Sequence, residues 1–185
     1  MMSLGPTIET DRLLLRPPSA EDFDSFCAFF ADPEATRFIG GVQSPSVVWR
    51  SIRTMAGAWA LDGFHFFSVI EKRSGDWIGR VGPIYPLGWP GPEVGWSLIS
   101  SHWRKGYARE AATASMDFAF SKLGWDRVIH TITPGNERSA KLATLLGSRK
   151  TGQGVLPEPF SHLPVEIWEQ SRKQWQSRRG FSGSA

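Results

Sequence analysis

The sequence predicts a mixed α/β (α+β) domain, in which a largely antiparallel sheet of about seven strands carries helices on both faces. Strand-like segments outnumber helical ones, and short turns join most neighbouring segments. One helical segment, 106–123, lies between two strand-like segments, 93–100 and 127–133. A strand, a helix and a strand in this order form a right-handed crossover, so these two strands are predicted to be parallel.

In the first half of the chain, the local sequence predicts two helices between a first strand and a hairpin. Phe23, Phe26 and Phe30 recur at helical spacing after Ser19, whose side chain suits a helix N-cap. Pro45 suits the first turn of a second helix. In chain order, the predicted elements are a strand at 8–16, a helix that begins at 19, a helix at 44–61, and strands at 64–71 and 77–85.

The second half begins with a loop at 86–92, which holds three prolines and two glycines. Small residues line one face of the helix that follows the next strand, and Gly124 ends it. Gly147 ends a second helix, which carries leucines on one side. In chain order, the predicted elements are a strand at 93–100, a helix at 106–123, a strand at 127–133, a helix at 136–146, and strands at 148–154 and 164–170.

The composition indicates a single globular domain, predicted to span residues 5–177 with a frayed tail at 178–185. The chain has 185 residues, of which 41% are hydrophobic and 21% charged. No apolar run approaches the roughly 20 residues of a membrane span, and no secretory signal is evident at the N-terminus. We therefore expect no membrane partner and a cytoplasmic location.

Charge and cysteine content exclude several classes of function. Cys27 is the one cysteine, which rules out a disulfide within the chain and a cysteine-based zinc site, so no metal is expected. The net charge of +3 is small and is not concentrated in one run, so nucleic acid is not an expected partner. A mildly basic surface suits a polyanionic small molecule instead.

The segment from Ser101 to Arg109 joins a strand directly to a helix and carries the most informative motif. Gly106 and Ala108 remove side-chain bulk where backbone N–H groups could approach a ligand. The helix N-terminus adds N–H donors and partial positive charge, and Arg104, Lys105 and Arg109 add full charges. These features suit a diphosphate, although a basic glycine turn before a helix can also be an ordinary helix start.

The chain resembles the GNAT superfamily of N-acetyltransferases, and within it the RimJ/RimL-type branch. The resemblance covers nearly the whole chain, and Trp103 replaces the Gln or Arg that opens the usual Gln/Arg-x-x-Gly-x-Gly/Ala loop. The matching segments are Glu9-Thr10-Asp11-Arg12-Leu13-Leu14-Leu15-Arg16, Glu93-Val94-Gly95-Trp96-Ser97-Leu98, Trp103-Arg104-Lys105-Gly106-Tyr107-Ala108, and Asn136-Glu137-Arg138-Ser139 with Leu146-Gly147.

The resemblance implies that the co-substrate is acetyl-CoA, bound where the central parallel strands splay apart. The pantetheine is expected at Leu98 and Ile99, the diphosphate on the loop and helix start from Trp103, and the pantetheine amides at Asn136. The expected binding residues are Leu98, Ile99, Trp103, Arg104, Lys105, Gly106, Tyr107, Ala108, Arg109, Asn136 and Ser139.

The resemblance also implies transfer of the acetyl group to a primary amine, which needs a base because amines are protonated at neutral pH. Glu93 is the first candidate, although a glutamate at a strand end can also simply face solvent. His65 and His130 are rival candidates. The resemblance further implies a group that protonates the leaving thiolate, which is a tyrosine in many GNAT enzymes. Neither Tyr85 nor Tyr107 lies just after the strand at 127–133, so Ser139, at the Asn-x-x-Ser position, is the candidate.

Two questions stay open at this stage. The acceptor could be the N-terminal α-amine of a protein or a small amine, and the enzyme could be a monomer or a homodimer. An alternative to an enzyme is a non-catalytic module that binds acetyl-CoA as a sensor. Such a module would keep the loop at 104–109 but would not need Glu93.

Overall fold

The computed structural model describes residues 4–180 and confirms a mixed α/β fold built on one mostly antiparallel sheet of eight strands. The order of the strands across the sheet is β1-β2-β3-β4-β5-β6-β8-β7. The strands are β1 (Ile8–Glu9), β2 (Leu13–Arg16), β3 (Phe67–Glu71), β4 (Trp77–Ile84), β5 (Glu93–Leu98), β6 (Arg127–Ile132), β7 (Arg149–Gly154) and β8 (Val165–Ser171).

Six helices accompany the sheet within the described residues. They are α1 (Phe23–Ala31), α2 (Pro33–Thr36), α3 (Pro45–Asp62), α4 (Tyr107–Ser121), α5 (Glu137–Leu146) and α6 (Arg172–Arg179). Gly63 and Gly147 end α3 and α5 in the left-handed conformation, with φ of 77° and 101°. Among residues 4–180, no helix combines the length and the apolar character that a membrane span requires.

The prediction of a single strand at 8–16 is wrong, because the chain turns back on itself at Asp11 and Arg12 to form the antiparallel pair β1 and β2. Thr10 makes this turn: its backbone N–H donates to the Leu13 carbonyl at 2.9 Å, and its hydroxyl accepts from the Leu13 N–H at 3.0 Å. A threonine hydroxyl can replace a backbone group in this way. The sheet consequently has eight strands and not seven.

The contacts divide the chain into two compact units, the first comprising Met1–Gly82 with Trp96–Ala114. Its core is aromatic. Trp77 of β4 lies against two phenylalanines of α1, with ring centroids 4.5 Å from Phe26 and 5.9 Å from Phe29. Such tilted and edge-on pairs contribute more than their buried area alone. The helical spacing of the phenylalanines therefore places one face of α1 in the core, as predicted.

The second unit comprises Pro83–Gly95 with Ser115–Ala185, and α6 is part of it. Trp175 of α6 is buried and donates its indole N–H to Asp117 Oδ1 at 2.7 Å. Ser171 and Gln174 form a capping box at the start of this helix. The predicted start of a frayed tail at residue 178 thus falls inside α6, while residues 181–185 lie outside the described part.

The predicted parallel pair is confirmed as β5 and β6, which pair at Glu93 and Ile129. The Pro92 carbonyl accepts the Ile129 N–H at 2.8 Å just before that position. After this position, side chains bond to backbone groups of the two strands. The Thr131 N–H donates to Glu93 Oε1 at 3.2 Å, and the Val94 carbonyl lies 2.7 Å from His130 Nδ1.

Candidate active site

The segment before α4 makes a tight turn that leads directly into the helix. Arg104 has φ of 61° and Gly106 has φ of 83°, so two residues of the turn are left-handed. The first helical bond runs from the Glu110 N–H to the Gly106 carbonyl at 3.1 Å. The amides of Tyr107, Ala108 and Arg109 precede that bond and have no acceptor within the helix. This segment, residues 103–109, is called the cradle below.

Trp103 closes the cradle onto the end of β5. Its indole N–H donates to the Leu98 carbonyl at 2.8 Å. Ile99, which follows Leu98 in the chain, donates its N–H to the Ile78 carbonyl of β4 at 3.0 Å. Since successive residues of an extended strand point their backbone groups to opposite sides, the Leu98 N–H faces away from β4. The indole of Trp103 thus links the cradle to the Leu98 carbonyl, in the position where the usual motif has Gln or Arg.

Arg12 holds the cradle from the β1–β2 turn, a contact that the sequence did not reveal. Its Nη1 donates to the Lys105 carbonyl at 2.9 Å and its Nε to Glu110 Oε2 at 2.6 Å. Thr10 donates its hydroxyl to Glu110 Oε1, also at 2.6 Å. Burial alone would raise the pKa of Glu110, but the hydrogen bonds from Thr10 and Arg12 hold that pKa below its ordinary value. The first turn of α4 is thus tied to the N-terminal strands.

Tyr107 anchors the same helix start. Its hydroxyl donates to Glu71, and the guanidinium of Arg12 lies 4.3 Å from the centre of its ring. The hydrogen bond from Tyr107 lowers the pKa of Glu71. The tyrosine hydroxyl is therefore already engaged in a bond that holds the helix.

The side chains of the cradle make it strongly cationic. Arg104, Lys105 and Arg109 are exposed, and they surround the start of a 15-residue helix. First-turn amides, the helix dipole and three full positive charges together favour an anion. A Cβ on Gly106 would lie 3.3 Å from Arg12 Nη2, in a backbone conformation that side chains other than glycine rarely adopt. The glycine is therefore needed for the turn itself.

Glu93, the first residue of β5, is buried, with 5% of its surface exposed. Its Oε2 accepts from the Trp89 indole N–H at 2.6 Å and from the Thr131 hydroxyl at 2.8 Å, and its Oε1 accepts the Thr131 N–H. Burial raises the pKa of Glu93 to about 7, although these hydrogen bonds act in the opposite direction. A carboxyl group with this pKa exchanges protons near neutral pH, as a general base must.

His130 of β6 belongs to a hydrogen-bonded chain that begins at the carbonyl of Val94, the residue after Glu93. The Val94 carbonyl can only accept, so His130 Nδ1 carries the proton of that bond. Nε2 then accepts from the Ser148 hydroxyl at 2.9 Å, and the Ser148 oxygen accepts from Gln170 Nε2 at 2.9 Å. Burial lowers the pKa of His130 to about 4, so the ring is neutral at pH 7. Both nitrogens are engaged, which favours a structural role.

His65, the other rival base, is also a weak one. Burial, followed by the charge of nearby Arg80, lowers the pKa of His65 to about 4. A group with this pKa holds a proton less readily than Glu93 does at neutral pH. The environments of the three candidates therefore favour Glu93.

Asn136 and Ser139 lie at the start of α5. The Asn136 side-chain oxygen accepts the Ser139 N–H at 3.2 Å, so Asn136 is the N-cap of the helix. Both residues are half-buried. The N-cap role is compatible with a second role for the Asn136 amide group, as the sequence had suggested.

The predicted residues thus fall into three local groups, and each group has partners that sequence reasoning missed. The first group is the cradle together with Leu98, whose carbonyl accepts from Trp103, and it depends on Arg12 and Glu110. Glu93 depends on Trp89 and Thr131. Asn136 and Ser139 form the third group. No motif marks Arg12 or Thr131 as partners, because they are distant in sequence from the residues they hold. Glu110, in contrast, directly follows the cradle, and Trp89 lies only four residues before Glu93.

Comparison with known proteins places the chain among acetyltransferases. A family model described as the acetyltransferase (GNAT) domain matches residues 12–149. The uncharacterized N-acetyltransferase p20 of Bacillus licheniformis is 32% identical over 149 residues, which cover 79% of this chain and 84% of that protein.

Solved structures show the same architecture. An acetyltransferase from Agrobacterium tumefaciens str. C58 superposes with a TM-score of 0.80 and 28% identity, covering 90% of this chain and 95% of its own. The ribosomal-protein-S5-alanine acetyltransferase from Vibrio fischeri has a TM-score of 0.73 and 20% identity, covering 92% and 98%. The second likeness concerns the fold alone.

Proposed function

Because this chain belongs to the GNAT acetyltransferase family, we propose that it transfers the acetyl group of acetyl-CoA to a primary amine by direct attack. The observation that carries the proposal is Glu93, a buried carboxyl group with a pKa raised to about 7. A module that only binds acetyl-CoA has no need of such a group. Glu93 is proposed to take the proton of the acceptor amine through a bridging water.

The cradle is proposed to bind the diphosphate of acetyl-CoA. Acetyl-CoA, when bound, would supply the activated acetyl thioester. Gly106 keeps the turn free of a side chain, and the amides of Tyr107 to Arg109 precede the first helical bond. Arg104, Lys105 and Arg109 would balance the phosphate charge. The Leu98 N–H and the backbone at Ile99 are proposed to hold the pantetheine, together with the Asn136 amide.

Two further groups of the chain would act on the reacting atoms. A backbone N–H of β5 is proposed to polarise the thioester carbonyl and to stabilise the negative charge that develops on its oxygen. Ser139 is proposed to donate a proton or a hydrogen bond to the departing thiolate. Tyr107 is not assigned this task, since its hydroxyl is bonded to Glu71.

The acceptor is proposed to be either the N-terminal α-amine of a protein or a small amine. The RimJ/RimL-like motifs support the first, and the variety of acceptors within the family supports the second. No metal is proposed to take part. The enzyme is expected to act in the cytoplasm as a monomer or homodimer, in keeping with its single cysteine.

The test is release of free thiol from acetyl-CoA in the presence of defined amines. The panel contains peptides with free N-termini, the same peptides with blocked N-termini, and small amines. We expect release with a subset of the free amines and a fall in turnover of about 10²–10⁴-fold in Glu93→Gln. Tight binding of acetyl-CoA with no release for any amine would instead identify a binding module.

A further inference from the structure

Trp89 connects a surface loop to the buried carboxyl group of Glu93. The loop at 85–92 contains an internal turn, in which the Trp89 N–H donates to the Pro86 carbonyl at 3.0 Å, and its last residue is held by β6, since the Pro92 carbonyl accepts from the Ile129 N–H at 2.8 Å. From this loop the indole N–H reaches Glu93 Oε2 at 2.6 Å. The fold of the loop thus brings the Trp89 indole to Glu93, and this contact is not part of the proposed reaction itself.

The two oxygens of Glu93 are occupied unequally. Oε2 accepts two hydrogen bonds, from Trp89 and from the Thr131 hydroxyl, while Oε1 accepts one, from the Thr131 N–H at 3.2 Å. Each carboxylate oxygen can accept about two bonds, so Oε1 keeps capacity for a further donor. Three donors on one carboxylate also fix its orientation.

We propose that Trp89 is a positioning residue for Glu93, whose indole N–H holds Oε2 while the ring keeps water from the carboxyl group, so that Oε1 receives the proton. This inference rests on the proposed function only where it treats Glu93 as the base. The hydrogen bond and the shielding by the ring have opposite effects on the carboxyl group. A hydrogen bond to the ionised form stabilises the charge, and exclusion of water destabilises it.

Few charged groups near Glu93 could alter its pKa in addition to the hydrogen bond and the shielding. The loop at 85–92 contains no charged residue. The titratable groups on the strands around β5 are Arg80 of β4, Arg127 and His130 of β6, and Glu166 and Glu169 of β8. Arg127 donates to Glu169 at 3.1 Å, and none of these charges is among the causes of the Glu93 pKa shift. The upward shift of the Glu93 pKa is caused by burial, and the hydrogen bonds from Trp89 and Thr131 oppose it. Changes at Trp89 should therefore appear directly in the titration of Glu93.

Two substitutions separate the effects of the indole. Trp89→Phe removes the N–H and keeps most of the ring, so the pKa of Glu93 should rise by about one unit. Trp89→Ala removes the ring and admits water, so the pKa should fall by about one unit, because burial is the largest cause of the present shift. Thr131→Val, which removes a second donor to Oε2, should raise it like Trp89→Phe.

The experiment is a carbon-13 NMR titration of the complete protein with labelled glutamate carboxyl groups. Glu93→Gln identifies the resonance of Glu93 by its loss. Leu87→Ala is the matched control, since Leu87 lies in the same loop with 99% of its surface exposed, and it should leave the titration unchanged. Opposite shifts in the phenylalanine and alanine variants would support both parts of the inference.

Other results are equally decisive. An unchanged titration in Trp89→Phe would overturn the role of the N–H, and a rise in Trp89→Ala would overturn the shielding by the ring. Turnover against pH in the same variants tests the proposed function separately. NMR shifts that the turnover profile does not follow would leave Trp89 as a positioning residue and remove Glu93 as the base.

Discussion

The cradle before α4 and the Glu93 site at the start of β5 provide opposite electrostatic environments. Three cationic side chains of the cradle are exposed, and its proposed ligand groups are amides at a helix start. Glu93 is buried, and the groups that bond to it are neutral: the side chain of Trp89, and the side chain and backbone N–H of Thr131. The first region can attract a polyanion from solution, whereas the second holds one titratable group in isolation.

The difference follows from what each task requires. Full charges at a surface remain ionised and recruit a charged ligand, although salt screens them over about 10 Å at 0.1 M. A base that works near neutral pH needs a carboxyl group whose charged form is destabilised, which burial achieves. Changes in ionic strength should therefore affect acetyl-CoA binding much more than the pKa of Glu93.

The largest effect on acetyl-CoA binding is expected from Gly106→Val. A branched side chain at φ of 83° strains the turn, and its Cβ would lie 3.3 Å from Arg12 Nη2. Acetyl-CoA binding, measured by calorimetric titration, should fall by at least about 100-fold, which corresponds to roughly 2.7 kcal/mol. Gly63→Val is the control, since Gly63 is also left-handed and its Cβ position is open. Retained affinity in Gly106→Val would remove the diphosphate from the cradle.

The pH dependence of turnover should reveal the second region. Only ionised Glu93 can accept a proton, and its pKa is about 7, so turnover should rise with pH and level off above pH 7. Steady-state rates between pH 5.5 and about 9 measure this limb, which should vanish in Glu93→Gln while acetyl-CoA affinity changes less than about twofold. A limb near pH 7 that persists in the variant would assign the base to another group.

An intermediate effect is expected from Arg12→Ala, which removes the donors to the Lys105 carbonyl and to Glu110. The cradle would lose its attachment to the β1–β2 turn, and acetyl-CoA affinity should weaken by about tenfold. Lys150→Ala is the control, since it breaks an exposed ion pair with Glu166 and should not alter binding. Equal affinities of wild type and Arg12→Ala would mean that the cradle keeps its shape unaided.

The smallest effects concern Asn136, where capping and ligand binding can be separated. Asn136→Ala should lower the melting temperature by about 2–4 °C through loss of the cap to Ser139. Asn136→Asp keeps an acceptor for that cap and removes the amide donors. It should melt like wild type and bind acetyl-CoA a few-fold more weakly. Unchanged affinity in the aspartate variant would leave Asn136 as a helix cap alone.

Local patterns in the sequence predicted most of the elements. The helical spacing of phenylalanines located α1, and Gly147 located the end of α5. The failures have a local cause too. Thr10 folds the first strand into two, and the capping box of Ser171 begins α6, a helix that the sequence patterns did not predict. Each depends on one side chain replacing a backbone group, which periodicity does not reveal.

The sequence by itself determined the α/β class, the parallel crossover and the cradle, because their signals lie within continuous stretches of chain. Only the tertiary structure decided the character of Glu93 and of the histidines. A pKa depends on burial and on donors that the fold brings together from different strands. Glu93 could have faced solvent, and it became the strongest candidate base only when Trp89 and Thr131 enclosed it.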